Sequence, residues 1–189
     1  LQLASIPGKL AAGAATMFGQ SGWGGFAGVA AMAAVMAGLG FAMSGSSSGG
    51  GMTAASAIHI NMFGPHPMIV HGTTEQKKLW VPDLVAGKDQ VCFGVTEPDA
   101  GLDTTSIKTF ARKVPGGYMV SGRKMWTSTG QVANKILLLT RTTSKEQSAK
   151  PTEGMTLFYT DLDRSKVEVR RIPKHGRNAV DSNAVFIDE

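Results

Sequence analysis

Apolar and polar positions repeat with a helical period up to about Lys88 and with a period near two after it. In the first part, Ala54 to Asn61 reads as a helix. Gly64-Pro65-His66-Pro67 breaks it, and Met68 to His71 opens a new apolar segment. Thr74 to Val81 then predicts a helix, with Thr73 or Thr74 as N-cap and Glu75 in the positive first turn. Leu79, Trp80 and Leu84 supply its expected buried face, Pro82 lies inside or just after it, and Gly87 stops it. Beyond Lys88 the pattern predicts strands at Val91 to Val95, Ile107 to Val114, Tyr118 to Val120, Arg123 to Ser128, Lys135 to Thr142, Met155 to Asp161, Val167 to Ile172 and Val185 to Ile187. Pro115-Gly116-Gly117 and Ser121-Gly122 read as turns between them. Helices followed by short, closely connected strands predict an α+β chain. An N-terminal α-helical region over residues 1–88, poorly defined over 1–52, precedes a middle antiparallel β-barrel or sandwich domain over 89–189.

The apolar pattern is most extreme near the start. Phe26 to Met43 carries no polar side chain and just reaches the length of a membrane span. Its composition is Ala and Gly more than Leu and Ile, and no basic cluster flanks it, which argues against a span. Lys9 is a meagre n-region and the apolar run starts late, which argues against a signal peptide. A helix buried between domains or subunits fits best, because a helix apolar all round has no solvent face. Ser44 to Gly51 then reads as a flexible linker. Lys9 is also the single charged residue before Glu75, whereas the later chain has ordinary charge density. The first residue is Leu rather than Met, as in a processed chain or a fragment.

Composition narrows the function classes. The chain has 189 residues, enough for one good core or two small domains. Its one cysteine, Cys92, lies in the apolar run Val91-Cys92-Phe93, so it reads as a reduced core residue in an intracellular protein, and no disulfide framework is possible. The formal net charge of +5 suits anionic ligands such as phosphates. No basic helix or zinc spacing points to nucleic acid. His59, His66, His71 and His175 lack metal-ligand spacing.

The richest local chemistry lies between Val91 and Thr129. The strand ending at Phe93-Gly94-Val95 runs into Thr96-Glu97-Pro98-Asp99-Ala100-Gly101. There Pro98 fixes φ, Asp99 can fold back on its own backbone, and Gly101 permits close approach. A strand end that opens into small residues is a common way to hold a phosphate or a flat ring.

Thr96-Glu97-Pro98-Asp99-Ala100-Gly101-Leu102-Asp103, then Ile107-Lys108-Thr109, then Gly122-Arg123-Lys124-Met125-Trp126-Thr127-Ser128 together resemble the acyl-CoA dehydrogenase family, and the likeness runs from about residue 59 to 189. The resemblance implies a flavin-dependent dehydrogenase that desaturates an acyl-CoA thioester, with FAD as cofactor. It implies that Phe93, Gly94, Val95 and Thr96 lie along the flavin ring, and that Gly101 and Leu102 lie near the pyrophosphate and the acyl-CoA. Trp126 would pack beside the ring, with Thr127 and Ser128 donating to its edge. Leu102 stands where many members have Ser, which implies different substrate contacts or a weaker hold on the phosphates, with main-chain donors still able to serve; Ser128-Thr129 stands where Thr-Asn is frequent. The family's base, usually a Glu, belongs to a C-terminal helical domain absent from these residues, so no catalytic residue and no metal ligand is assigned. Implied partners are acyl-CoA, an electron acceptor such as an electron-transfer flavoprotein, and further copies of the chain as a dimer or tetramer if that domain is present. The implied location is the bacterial cytoplasm or the mitochondrial matrix. An acyl-CoA oxidase, a base-less subunit of a heteromeric relative, and a non-enzymatic β-barrel binding module are the alternatives.

Overall fold

The computed structural model describes residues 65–176 and 180–188. The chain divides into two compact units, Leu1–Asp89 and Gln90–Glu189. The apolar run at Phe26 to Met43 and the helix expected at Ala54 to Asn61 lie outside the described residues.

In the first unit, α1 (Pro65–His71) carries both prolines in its first turn, where a missing N–H costs nothing. Helix α2 (Thr74–Val85) begins with a capping box. The Thr73 hydroxyl accepts from Gln76 N at 3.2 Å, and the Gln76 side chain accepts from Thr73 N at 2.9 Å. Pro82 lies within α2, and Gly87, at φ 72°, ends the turn beyond Ala86. Leu79, expected on the buried face, is exposed; Trp80 and Leu84 are half-buried, as they share a stripe at i, i+4.

The second unit is a 7-stranded sheet of β1 (Val91–Gly94), β2 (Phe110–Val114), β3 (Gly117–Ser128), β4 (Lys135–Arg141), β5 (Met155–Asp161), β6 (Val167–Arg171) and β7 (Ser182–Ile187). The expected α+β order holds, but the sheet is mixed rather than antiparallel throughout. β1 and β2 run parallel to β4, while β4–β5, β2–β3, β3–β7 and β6–β7 are antiparallel. β4 is paired on both edges, by β1 and β5, and its consecutive Ile136, Leu137 and Leu138 are all buried, the pattern of a strand with two covered faces. Ile136 and Leu138 join Cys92, Ala133, Leu162, Val185 and Ile187 in the core. Cys92 is the reduced core thiol expected; burial pushes its pKa up to about 12, which keeps it protonated and inert.

The turn expected at Ser121-Gly122 is absent; β3 runs through it for 12 residues. Its first half, to Ser121, pairs with β2, and its second half, from Gly122, pairs with β7. Gly122 is therefore a strand corner, at φ 151°, where the sheet curls toward a half-barrel. Likewise the strand expected from Ile107 begins only at Phe110, because Asp103 caps a short 3₁₀ turn at Thr104–Ser106.

Candidate functional site

The turn after β1 closes on itself. Glu97 N donates to Ala100 O at 3.1 Å and Ala100 N donates back to Glu97 O at 3.2 Å, leaving Pro98 and Asp99 at the tip. Glu97 points inward and is 6% exposed. Its Oε2 accepts from Lys108 N at 2.6 Å, and its Oε1 accepts from Thr109 N at 2.9 Å and from Lys124 Nζ at 2.8 Å. One carboxylate thus ties the turn, the returning chain and β3 together.

Lys124, 0% exposed, reaches this carboxylate from the middle of β3 and also donates to Val95 O at 3.1 Å. Gly94 packs beside the Lys124 stem and, more tightly, against two core methyls. A Cβ there would lie 3.4 Å from Lys124 Cγ and 3.1–3.2 Å from Leu138 and Ile136 methyls. Burial raises the Glu97 pKa, but hydrogen bonds from Lys124, Thr109 and Lys108 more than offset this and hold the carboxylate below its ordinary 4.5. Burial pulls Lys124 below the usual lysine value against the hydrogen bond and charge of Glu97.

Immediately after Lys124 the β3–β7 register slips. Lys124 pairs with Val185 and Thr127 with Asn183, so Met125 and Trp126 stand against one residue of β7, a β-bulge. Trp126 takes φ 61°, a left-handed conformation that bulky side chains avoid, and the residue is 56% exposed. Met125 N donates to Thr96 O at 2.8 Å, fastening the bulge to the turn after β1. Thr129, also left-handed at φ 60°, donates its hydroxyl to Val91 O at 3.3 Å.

Of the residues singled out in the sequence, Phe93 (41% exposed), Leu102 (106%) and Trp126 present large apolar side chains outward. Val95, Thr96 and Ser128 are partly exposed, Gly101 is exposed and Gly94 is buried. Thr127 is buried, and its hydroxyl has no hydrogen-bond partner among the described residues. Sequence reasoning missed the pairing of Glu97 with Lys124. The available signal was a lysine placed between Arg123 and the apolar Met125-Trp126, which does not by itself announce burial. It also missed Arg141, 3% exposed, whose guanidinium donates to the carbonyls of Thr105, Pro151 and Glu153 at 2.5, 2.8 and 3.1 Å. Arg141 thereby holds the chain just after the turn against the loop that follows β4.

Residues 92–189 match the sequence model described as acyl-CoA dehydrogenase, middle domain. This chain belongs to the acyl-CoA dehydrogenase family. It is 33% identical over 96 residues to a mitochondrial 2-methylacyl-CoA dehydrogenase of Solanum tuberosum, covering 51% of this chain and 22% of the relative. The chain spans between 16 and 26% of the length of such curated relatives. A solved glutaryl-coenzyme A dehydrogenase in complex with glutaryl-CoA has the same fold. Its TM-score is 0.70 at 22% identity, over 88% of this chain and 40% of that one. A solved FAD-dependent dehydrogenase matches at TM-score 0.65 and 25% identity, over 72% of this chain and 36% of that one.

The strained, exposed Trp126 separates the roles an acyl-CoA dehydrogenase middle domain could give it. A Trp truncated within a packed core costs about 3–5 kcal/mol. Here Trp126→Gly removes a half-exposed ring and relieves a left-handed non-glycine residue, a strain of about 1–3 kcal/mol. We expect its denaturant midpoint to correspond to a net change within about 1 kcal/mol. A loss on the core scale would mean that the ring is a packing residue.

Proposed function

We propose that the β-domain is the flavin-holding part of an acyl-CoA dehydrogenase that takes an acyl-CoA thioester to its α,β-unsaturated product. The observation that carries this reading is the strained bulge presenting Trp126, fastened to a turn whose neighbours Phe93 and Leu102 are exposed apolar residues. The residue set fits a flat aromatic group: apolar rings for its face, and Thr96 and Ser128 as partly exposed hydroxyls for its polar edge. In this reading Phe93, Gly94, Val95, Thr96, Trp126, Thr127 and Ser128 hold FAD, while Gly101 and Leu102 lie toward pyrophosphate and substrate. Thr127 contributes through its main chain, since its side chain is buried. FAD, when bound, supplies the acceptor for the β-hydride.

This chain's own contribution is orientation and exclusion of water. Phe93 and Trp126, both exposed, give the ligand an apolar surface. The likeness of Leu102 to an apolar lip, in place of a hydroxyl, favours main-chain donors over a side chain for the polar part of the substrate. The proposed electron acceptor is an electron-transfer flavoprotein, and the proposed assembly is a homodimer or homotetramer.

Anaerobic addition of acyl-CoA to the FAD-loaded protein in its full length tests the reaction. The reading expects the oxidised flavin band to bleach within the first turnover. A band unchanged by a panel of straight and branched acyl-CoAs would overturn it.

A further inference from the structure

We propose that Glu97 and Lys124 form a positioning pair that sets the presentation of Trp126 and locks it to the turn from Phe93 to Leu102. The proposal deepens the flavin reading and rests on it for what the two segments hold. Lys124 is the last residue of β3 in register with β7 before the bulge. Its Nζ is held at both Glu97 Oε1 (2.8 Å) and Val95 O (3.1 Å), so the strand cannot slide past this point without breaking two bonds inside the protein. The next residue, Met125, donates its N–H to Thr96 O at 2.8 Å. Trp126 follows at once, in its left-handed conformation. On the other side, the same carboxylate accepts from Lys108 N and Thr109 N. Displacing it releases the chain that returns from Leu102.

Stability alone does not account for such a pair. A buried ion pair is commonly matched or exceeded by apolar side chains of the same volume, and its best-attested use is to fix registry. Here the registry at stake is that of the bulge.

The test uses the full chain labelled with 5-fluorotryptophan, with the Trp126 resonance assigned by Trp126→Phe, together with FAD titrations. The variants are Glu97→Gln, Lys124→Met and the double variant, all measured well below their unfolding midpoints. Each single variant is expected to shift or broaden the Trp126 resonance and weaken FAD binding by about tenfold or more, as for coupled neighbours in one network. The double variant is expected to regain stability while keeping the altered resonance and the weak FAD binding. If the single variants do not fold, the double variant decides. A Trp126 resonance and an FAD affinity that match wild type in the folded single variants, or that return with stability in the double variant, would overturn the proposal. A wild-type chain that binds no FAD would remove the flavin reading, while the Trp126 resonance would still decide the positioning role.

Discussion

Lys124→Met is expected to destabilise the β-domain by about 3–5 kcal/mol, because it strands the Glu97 carboxylate in the interior without its cation. Glu97→Gln strands the Lys124 ammonium in turn and sets an amide NH2 against a backbone N–H, so a loss of similar size is expected. The double variant recovers part of the loss, since no charge is then left buried. Denaturant midpoints of the four proteins give the coupling directly; simple additivity would show that the two side chains act independently.

The same pair predicts an acid limb. The folded Glu97 carboxylate has a lower pKa than its ordinary 4.5, so the folded state holds its proton less tightly than the unfolded chain. The stability it supplies is fully present above that ordinary value and drains away as pH falls through the lower folded value. Thermal midpoints recorded from about pH 6 to about pH 3 should fall more steeply for wild type than for Glu97→Gln. Parallel curves would assign the acid limb to other carboxylates.

Gly122→Ala is the second large effect. A Cβ at Gly122 would stand 2.4 Å from Thr109 Oγ1 and 2.7 Å from Thr109 Cα, and φ 151° is unfavourable for alanine. Backbone cannot swing aside as a side-chain tip can, so overlap and conformational strain together are expected to cost about 3 kcal/mol or more. Thr109 also donates its N–H to Glu97, so the damage should reach the ion pair. Gly116→Ala offers a control: its φ is 86° but nothing lies within 4 Å, so only the conformational part of the cost applies. Equal losses at the two glycines, measured by denaturant unfolding, would show that the close approach of Thr109 is unimportant.

Much of this fold is legible in the sequence, and the failures have identifiable physical causes. β5 falls on the predicted residues because its ends are set by local turn chemistry, and α2 begins where Thr73 and Gln76 form a capping box. Gly122 misleads because a glycine after serine looks like a turn locally, while its use here is to pass Thr109 at a strand corner. The parallel pairing of β1 with β4 joins residues more than forty positions apart and leaves no local trace. At the candidate site, the turn at Thr96 to Gly101 and the exposed Trp126 both lie in motifs visible in the chain. The burial of Lys124 is invisible there, because it depends on Val95 and Glu97 in the turn after β1, nearly thirty residues earlier in the chain.

The most direct test of the central claim is a titration of the full-length apoprotein with FAD, read by visible absorbance and by Trp126 fluorescence isolated against Trp126→Phe. The account predicts saturable, one-to-one binding, quenching of the Trp126 emission, and loss of affinity in Trp126→Gly without loss of folding. Flavin binding that leaves Trp126 emission unchanged and is indifferent to Trp126→Gly, or no binding at all, would contradict it.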